Sequence, residues 1–278
     1  MSKIYADLHM HTPNSDGEVT LEELPQIAKE NNLQAVAITD HDKVHDGLSK
    51  PLEIIDGVEV ISGIELRVES EYANERIDLL GYGVEPTNEL KQTLKDIQNN
   101  RIKRTEKILD LIEEETNVRI DMEISTGTGR PHIARAIDES TELSYDYNQA
   151  FEKLIGNNCP AYVSREIPTF EKGIKLLKES CHFVSLAHPF RYNNPVEVLK
   201  LSQNLNGVEC IYSYGDTFGT SGNELANIHL DEIAVEWFDL NITGGSDAHT
   251  IKDIGTAGLM KSHYETFLKE SKLNQYIN

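Results

Sequence analysis

Histidines and carboxylates recur in this sequence at the ends of short apolar segments. His9 and His11 are two residues apart, which places both side chains on one face of an extended segment. Acids or histidines follow similar segments further along, and the full set is His9, His11, Asp16, His41, Glu65, Asp78, His188, Asp247 and His249, with Glu209 as an additional acid on the sixth segment. Imidazole and carboxylate together suit Zn, Mn or Fe(II) better than metals that prefer thiolates.

The joint placement of these residues matters more than any one of them. A single histidine such as His188 is more often a hydrogen-bonded core residue than a metal ligand. A buried cluster of about five histidines and four acids, however, would cost much free energy without cations to pair with it. The set therefore indicates a metal site. The remaining histidines that we assessed lack such neighbours, and we interpret them as structural or surface residues: His45, His182, His229 and His263.

Seven β-rich segments and several amphipathic helical segments alternate along the chain. The predicted strands are Lys3–Leu8, Ala35–Thr39, Val58–Ile64, Ile77–Gly81, Phe183–Ala187, Gly207–Tyr212 and Asn241–Thr243. The predicted helices between them include Leu21–Asn31, Phe170–Glu179, Pro195–Gln203 and Glu224–Phe238. This alternation predicts a mostly parallel sheet, and seven such strands could close into a barrel. The candidate ligands would then lie near the carboxyl ends of the strands, where β/α barrels build active sites.

One region, from about 88 to 162, interrupts the alternation. Leu94, Ile97 and Ile108 fall at roughly helical spacing and predict a long helix, and shorter helices are expected at Pro131–Glu139 and Asp146–Ile155. We interpret the region as a helical insertion that caps the active-site end of the barrel. The predicted organisation is a first barrel part at 1–87, the insertion at 88–162 and a second barrel part at 163–278.

Composition restricts the partners and the compartment. The chain has 47 acidic and 26 basic residues, a net charge of −21, which disfavours binding of duplex DNA and of anionic membranes. No run of about 18 apolar residues predicts a membrane span, and the first residues lack the apolar stretch of a signal peptide. The three cysteines, Cys159, Cys181 and Cys210, are widely spaced and suit reduced thiols in a cytoplasmic protein.

Five motifs, taken in order, resemble those of a known family. They are Tyr5-Ala6-Asp7-Leu8-His9-Met10-His11-Thr12, Ile38-Thr39-Asp40-His41-Asp42, Gly63-Ile64-Glu65, Ala187-His188-Pro189 and Ser246-Asp247-Ala248-His249. They are similar to the motifs of the PHP family, the polymerase and histidinol phosphatase related phosphoesterases. The resemblance implies a distorted seven-stranded β/α barrel, a (β/α)7 PHP barrel with a helical insertion, and a trinuclear metal site.

Within that family the chain is similar to the branch that hydrolyses nucleoside phosphates. That branch has an insertion motif like Gly129-Arg130-Pro131-His132-Ile133-Ala134-Arg135 and a motif like His188-Pro189-Phe190-Arg191. The implied substrates are small phosphate monoesters, most of all nucleotides such as AMP and nucleoside 3′,5′-bisphosphates, with short RNA 5′ ends as a further substrate. The expected mechanism is attack by a metal-bridging hydroxide, with phosphate bound by Arg130, His132 and Arg191.

The resemblance also implies how the ligands divide among the ions. One metal would be bound by His9, His11, Glu65 and Asp247, a second by Glu65, Asp78 and His188, and a third by Asp16, His41 and His249. We expect two to three divalent ions of Mn, Zn or Fe, with Mg as a further candidate. Position 78 departs from the family pattern, which usually has histidine there. An aspartate adds negative charge and a hard oxygen donor, which favours Mn or Mg at that position unless Asp78 binds a neighbouring group such as Arg76 instead.

Three other functions are compatible with parts of this pattern. A histidinol-phosphate phosphatase shares the metal motifs, although Arg130-Pro131-His132 favours the nucleotide branch. A non-catalytic, metal-stabilised regulatory module would be expected to have lost several ligands, whereas here one position differs. A metal-dependent amidohydrolase would normally have a bridging lysine at the end of a strand, and the sequence has no lysine so placed.

Overall fold

The structure is a computed structural model, and it describes residues 3–214 and 239–277. Its strands are β1 (Ala6–Met10), β2 (Ala35–Ile38), β3 (Leu52–Ile55), β4 (Val58–Ser70), β5 (Glu75–Val84), β6 (Cys181–Leu186), β7 (Gly207–Tyr212) and β8 (Asn241–Gly245). Its α-helices are α1 (Leu24–Glu30), α2 (Asn88–Thr116), α3 (Arg130–Asp138), α4 (Tyr147–Ala150), α5 (Phe170–Ser180), α6 (Pro195–Leu201) and α7 (Lys261–Glu270).

Seven of the strands form one continuous path in the order β1-β2-β4-β5-β6-β7-β8, and β3 pairs with β4 outside this path. The two ends of the path meet just beyond β8. Met10 and Ala248 form a parallel bridge, and the His11 amide donates to the Ala248 carbonyl at 2.9 Å. The sheet is therefore a nearly closed barrel, which confirms the predicted seven-stranded α/β barrel.

The strands do not all run in one direction, so the expectation of a mostly parallel sheet needs correction. Strands β1, β2 and β4 are parallel to one another, as are β6, β7 and β8, but β5 is antiparallel to both β4 and β6. Only four residues, 71–74, connect β4 to β5, which is too short for a crossover helix and permits only a hairpin. Asp78 consequently lies near the beginning of its strand and not near the end.

A buried aromatic cluster joins the barrel to a helix that sequence analysis did not identify. The Phe267 ring of α7 lies 5.3 Å from the Tyr82 ring of β5 and 5.2 Å from the Phe183 ring of β6, both measured between ring centroids. Edge-on contacts at these distances are favourable for aromatic rings. A second apolar cluster, which includes Leu24 and Ala28 of α1, packs against β2 and β4. Both faces of the sheet segments are thus covered.

The chain divides into two compact units, Met1–Lys91 with Pro168–Asn278, and Gln92–Ile167. The second, which we call the helical unit, contains most of α2, together with α3, α4 and a π-helical turn at Phe151–Ile155. It has its own apolar core, formed by residues such as Ile108, Ile112, Ile133 and Leu154. A separate core allows this unit to be stable as a packed element in its own right. The domain division at 88–162 and its capping role stay predictions.

The other predicted helices can be compared one by one. Helix α5 begins at Phe170 as predicted, and α6 begins at Pro195 and continues as a 3-10 turn at Ser202–Asn204. The predicted helix Glu224–Phe238 lies outside the described residues. Within the part of the chain that the structure describes, no helix is both long and apolar enough to cross a membrane.

Candidate metal centre

The structure brings all nine predicted metal ligands together at one end of the barrel sheet. They come from β1 and the residue after it, from the segments after β2, β6 and β8, from within β4 and β5, and from the loop after β1. Three groups have candidate ligand atoms that all lie within 4.8 Å of one another. We call them the inner group (His9, His11, Glu65 and Asp247), the outer group (His11, Asp16, His41 and His249) and the side group (Glu65, Asp78 and His188).

The inner group is almost completely buried. The Nε2 atom of His9 lies 3.5 Å from Oε1 of Glu65 and 3.4 Å from Oδ1 of Asp247. The Nε2 atom of His11 lies 2.9 Å from the same Asp247 oxygen. Two imidazoles and two carboxylates therefore direct their atoms towards one small volume, which is the donor set of a four-coordinate or five-coordinate divalent ion.

The outer group is more accessible. Its His11 ring lies 4.4 Å from the His41 ring and 4.3 Å from the His249 ring, between centroids. Asp16 faces these rings with Oδ2 3.8 Å from Nε2 of His41 and Oδ1 3.5 Å from Nε2 of His249. The Asp16 side chain is 44% exposed, so this group opens to solvent. His11 belongs to both the inner and the outer group, although the resemblance placed it only in the first.

Glu65 is a member of the inner and side groups, and its two oxygens face the side group and the outer group. Its Oε1 lies 3.0 Å from Nε2 of His188, whereas its Oε2 lies 2.6 Å from Nδ1 of His41. A carboxylate with two oxygens facing different clusters is suited to bridge cations a few ångströms apart.

An arginine that was not predicted as a site residue lies next to the side group. Arg67 lies directly across from Asp78 in the β4–β5 hairpin. Its Nε and Nη2 atoms donate to the two oxygens of Asp78, each at 2.7 Å. The alternative in which Asp78 binds a neighbouring arginine is thus seen in the structure, but with Arg67 as the partner in place of Arg76. The pairing could be found only once the register of the hairpin was known.

Glu209 of β7 holds two ligand segments in place at once. Its Oε1 lies 2.9 Å from Nδ1 of His9, and its Oε2 accepts the backbone amide of His188 at 2.9 Å. An acceptor at Nδ1 favours the His9 tautomer whose Nε2 is free to bind a cation. Glu209 is fully buried and acts on the candidate ligands, although it was not among the predicted site residues.

Two further buried aspartates connect the loops that carry the ligands. Asp7 of β1 accepts the Ser246 hydroxyl at 2.6 Å and the Gly255 amide at 2.8 Å, so it attaches the segment after β8 to β1. Asp40 accepts the Thr12 hydroxyl at 2.8 Å and thereby orders the loop after β1. Both residues lie within the family motifs, yet only the structure shows what they bind.

Two of the candidate ligands have a backbone conformation that side chains normally avoid. His188 has φ of 28° and Asp247 has φ of 55°. Non-glycine residues with positive φ cost of order 1–3 kcal/mol and persist where the surroundings impose them. The Glu209 bond to the His188 amide is one such constraint. Positive φ also occurs at eight other non-glycine residues of the described chain, so this strain is not confined to the candidate metal ligands.

The electrostatics show how strongly these groups compensate one another. Burial disfavours a charged His41, but the neighbouring Glu65 carboxylate more than offsets it and raises the pKa of His41 to about 9. Burial acts on His9 in the same direction, yet the Glu209, Asp247 and Glu65 carboxylates raise its pKa well above the usual value. Burial lowers the pKa of His11. Without cations, the carboxylates therefore favour protonation of His9 and His41, but not of His11.

The donor set fits divalent cations in the inner and outer groups. Two buried atoms that face the inner and outer groups have no hydrogen-bond partner: Nε2 of His9 and Nδ1 of His11. Buried polar atoms without partners are rare, because each costs about 1–3 kcal/mol. Cations would pair with these atoms and neutralise the carboxylates. The side group fits less well, because Arg67 already occupies both oxygens of Asp78.

The three predicted substrate-binding residues lie in different units. Arg191 lies beside the inner group, where its Nη1 donates to the Tyr212 hydroxyl at 2.7 Å and to Oδ2 of Asp247 at 3.3 Å. Arg130 and His132 belong to the helical unit. Nη1 of Arg130 donates to the Ile155 carbonyl at 3.3 Å, and Nδ1 of His132 accepts the Gly129 amide at 3.2 Å.

Comparison with known proteins identifies the family. Residues 7–234 match the model of the PHP domain. The chain belongs to the PHP family. The match extends from β1 past β7, so it includes the segments that carry most of the metal-ligand candidates. The chain is accordingly a metal-dependent phosphoesterase of the PHP family.

Two curated PHP relatives are similar over most of their length. The chain is 26% identical to a 5′-3′ exoribonuclease of Haemophilus influenzae, covering 90% of this chain and 91% of that protein. It is 24% identical to a 3′,5′-nucleoside bisphosphate phosphatase of Chromobacterium violaceum, covering 87% of this chain and 86% of the relative.

A solved structure from Bifidobacterium adolescentis, described as a metal-dependent phosphoesterase, has a similar fold. The TM-score is 0.71 at 22% identity, and the alignment covers 96% of each chain. At this identity the likeness supports the barrel fold alone.

Proposed function

We propose that this PHP protein hydrolyses small phosphate monoesters of nucleotides, such as AMP and nucleoside 3′,5′-bisphosphates, and removes nucleotides from the 5′ end of short RNA. The buried histidine–carboxylate groups beside the exposed Arg191 carry the proposal. The relatives named as an exoribonuclease and as a bisphosphate phosphatase support the nucleotide class, because they align with the chain over most of its length.

We propose that the three groups together form the metal site and that its inner and outer groups bind ions of Mn, Fe or Zn. The groups contain only imidazole and carboxylate donors, which favours these ions over those that prefer thiolates. Divalent cations in such sites supply the activation of water and the neutralisation of phosphoryl charge. Glu65 keeps the inner group and the side group at a fixed distance, and the tautomer of His9 is set by Glu209.

Arg191 is the strongest candidate for binding the substrate phosphate. Its side chain is 57% exposed although Nη1 contacts Asp247 and Tyr212. The remaining guanidinium donors can therefore meet a phosphate oxygen next to the inner group, and arginine binds phosphate with a planar fork. The proposed roles of Arg130 and His132 rest on their sequence motif. The cytoplasmic location is also a proposal, supported by the odd number and the wide spacing of the cysteines.

The experiment is a substrate panel measured with Mn, Zn, Fe and Mg in turn. The panel contains AMP, a nucleoside 3′,5′-bisphosphate, a short 5′-phosphorylated RNA and histidinol phosphate. We expect kcat/KM for the best nucleotide to exceed that for histidinol phosphate by roughly 100-fold, as a site that binds the nucleoside part would give. The variants His9→Ala and Asp247→Ala, purified in parallel, serve as negative controls. The kcat/KM of each should be about 100-fold or more below that of the wild type. A preference for histidinol phosphate would reject the nucleotide assignment.

A further inference from the structure

The side group differs from the other two groups because an arginine already supplies a positive charge there. Arg67 and Asp78 are cross-strand partners, and their two parallel hydrogen bonds of 2.7 Å form a bidentate fork. Such a fork uses both carboxylate oxygens and fixes the plane of the pair. The Asp78 backbone is fixed as well, since its amide donates to the Tyr192 hydroxyl at 2.8 Å.

The Asp78 oxygen that faces His188, which a cation in the side group would have to bind, already accepts a hydrogen bond from Arg67. Oδ2 of Asp78 lies 3.9 Å from Nε2 of His188 and accepts Nη2 of Arg67 at 2.7 Å. A divalent ion between Glu65, Asp78 and His188 would have to share that oxygen with the Arg67 donor. It would also lie within a few ångströms of a guanidinium that is always charged.

The inner group differs from the side group in how its aspartate contacts an arginine. Asp247 also meets an arginine, but Arg191 and Tyr212 both approach its Oδ2. Its Oδ1 stays directed at His9 and His11. Oδ1 of Asp247 therefore accepts no hydrogen bond from its arginine neighbour, whereas both oxygens of Asp78 do.

We propose that the guanidinium of Arg67 replaces a cation at the side group, so that this chain binds two divalent ions, in the inner and outer groups, and not three. Arg67 compensates Asp78 and the nearby face of Glu65, which is the role that a third ion would have. Aspartate at position 78 and arginine at position 67 are thus one feature, because a histidine at 78 has no carboxylate oxygens to accept the two hydrogen bonds of the fork. The inference rests on the proposed metal-dependent activity.

The test counts bound ions directly. The purified chain is stripped with a chelator, dialysed against Mn²⁺ and analysed by calorimetric titration and elemental analysis. We expect two Mn²⁺ ions per chain in the wild type and three in Arg67→Met, which frees both oxygens of Asp78. The matched control is Arg76→Met, which removes an arginine from the same hairpin that pairs with Glu69 at 3.6 Å, and it should keep two ions.

Each result decides the proposal. Three ions in the wild type would overturn it, and so would two ions in a folded Arg67→Met protein. If Arg67→Met does not fold, the double variant Arg67→Met/Asp78→His avoids an unpaired buried carboxylate and should bind three ions. A wild type that binds no Mn²⁺ and hydrolyses phosphate esters in EDTA would instead reject the proposed function.

Discussion

Several of the candidate ligands are held in place by buried carboxylates that are not themselves ligand candidates. Glu209 accepts hydrogen bonds from two of these segments through two different oxygens, at 2.9 Å each. Asp7 and Asp40 have similar roles in the loops after β8 and β1. Ligand type and order could be predicted from the sequence, since motifs give both. The partners could not, because their contacts join residues up to 248 positions apart.

Glu209→Gln isolates this positioning role. A glutamine has one carbonyl oxygen, so it can accept from either the His9 ring or the His188 amide, but not from both. If its amide group faces Nδ1 of His9, it also favours the tautomer in which Nε2 carries the proton and cannot bind a cation. We expect Mn²⁺ affinity to fall by about 10- to 100-fold.

Competition with a fluorescent chelator measures this change. Glu179→Gln is the control, since Glu179 lies on the surface of α5 and only approaches Lys175 at 4.0 Å. An unaltered Mn²⁺ affinity in Glu209→Gln would show that the carboxylate does not position the ligands.

Arg191→Ala tests phosphate binding at the exposed edge of the inner group. Removing a charge-assisted hydrogen bond should cost roughly 1.5–3 kcal/mol, or about 10- to 150-fold in kcat/KM on the best nucleotide. Arg119→Ala is the control, because Arg119 is 81% exposed and its ion pair with Glu113 lies in the helical unit. Steady-state kinetics measures kcat/KM for both variants. Equal values for Arg191→Ala and Arg119→Ala would show that Arg191 does not bind the substrate phosphate.

At the scale of elements, the apolar segments predicted most strands but not their directions. The segments Val58–Ile64 and Ile77–Gly81 extend into one long hairpin, Val58–Ser70 with Glu75–Val84. The polar residues of this extension, such as Glu69 and Arg76, do not show the apolar pattern of a strand. They are stabilised by cross-strand ion pairs rather than by burial. The short strand β3 was missed for a related reason, since Glu53 interrupts its apolar pattern. The antiparallel direction of β5 places Asp78 opposite Arg67 of β4.

Gly245 of β8 shows how closely two of these elements approach. A methyl group at this position would overlap the backbone nitrogen and Cβ of His9. Gly245→Ala must therefore push β1 away from β8, and we expect it to destabilise the fold by about 1–3 kcal/mol and to weaken metal binding.

Urea unfolding and Mn²⁺ titration check both effects of Gly245→Ala. Gly129→Ala is the control, because its added methyl would come no nearer than 3.7 Å to Pro131. Equal stability and affinity in the two variants would mean that β1 and β8 can separate at no cost.

At the scale of the whole molecule, the excess of acidic residues predicts that bound cations stabilise the fold. The net charge is −21, and several of the acids that contribute to it converge on the inner and outer groups. Removing the proposed ions would leave Glu65 and Asp247 compensated by protonated histidines and by Arg191. The acidic excess was visible in the sequence, but it gave no indication of which acids are buried.

Chelation should accordingly lower the melting temperature. An ion present at 100 times its Kd stabilises the native state by about 2.7 kcal/mol. For a chain of this size that corresponds to roughly 5–10 °C per ion. Differential scanning calorimetry before and after EDTA, with Mn²⁺ added back to restore the transition, measures the shift. A melting temperature that does not change with EDTA would contradict a structural contribution from the ions.

The closure of the barrel beside Ala248 has a consequence for how the protein is made. His11 and Asp247 are in contact, yet they are 236 residues apart in the chain. A ribosome that adds about 5–20 residues per second needs roughly 10–50 s to pass from one to the other. During that interval the first histidines have emerged without their carboxylate partner. A growing chain can therefore complete its inner group only after Asp247 has been synthesised, and metal loading of that group cannot precede that point.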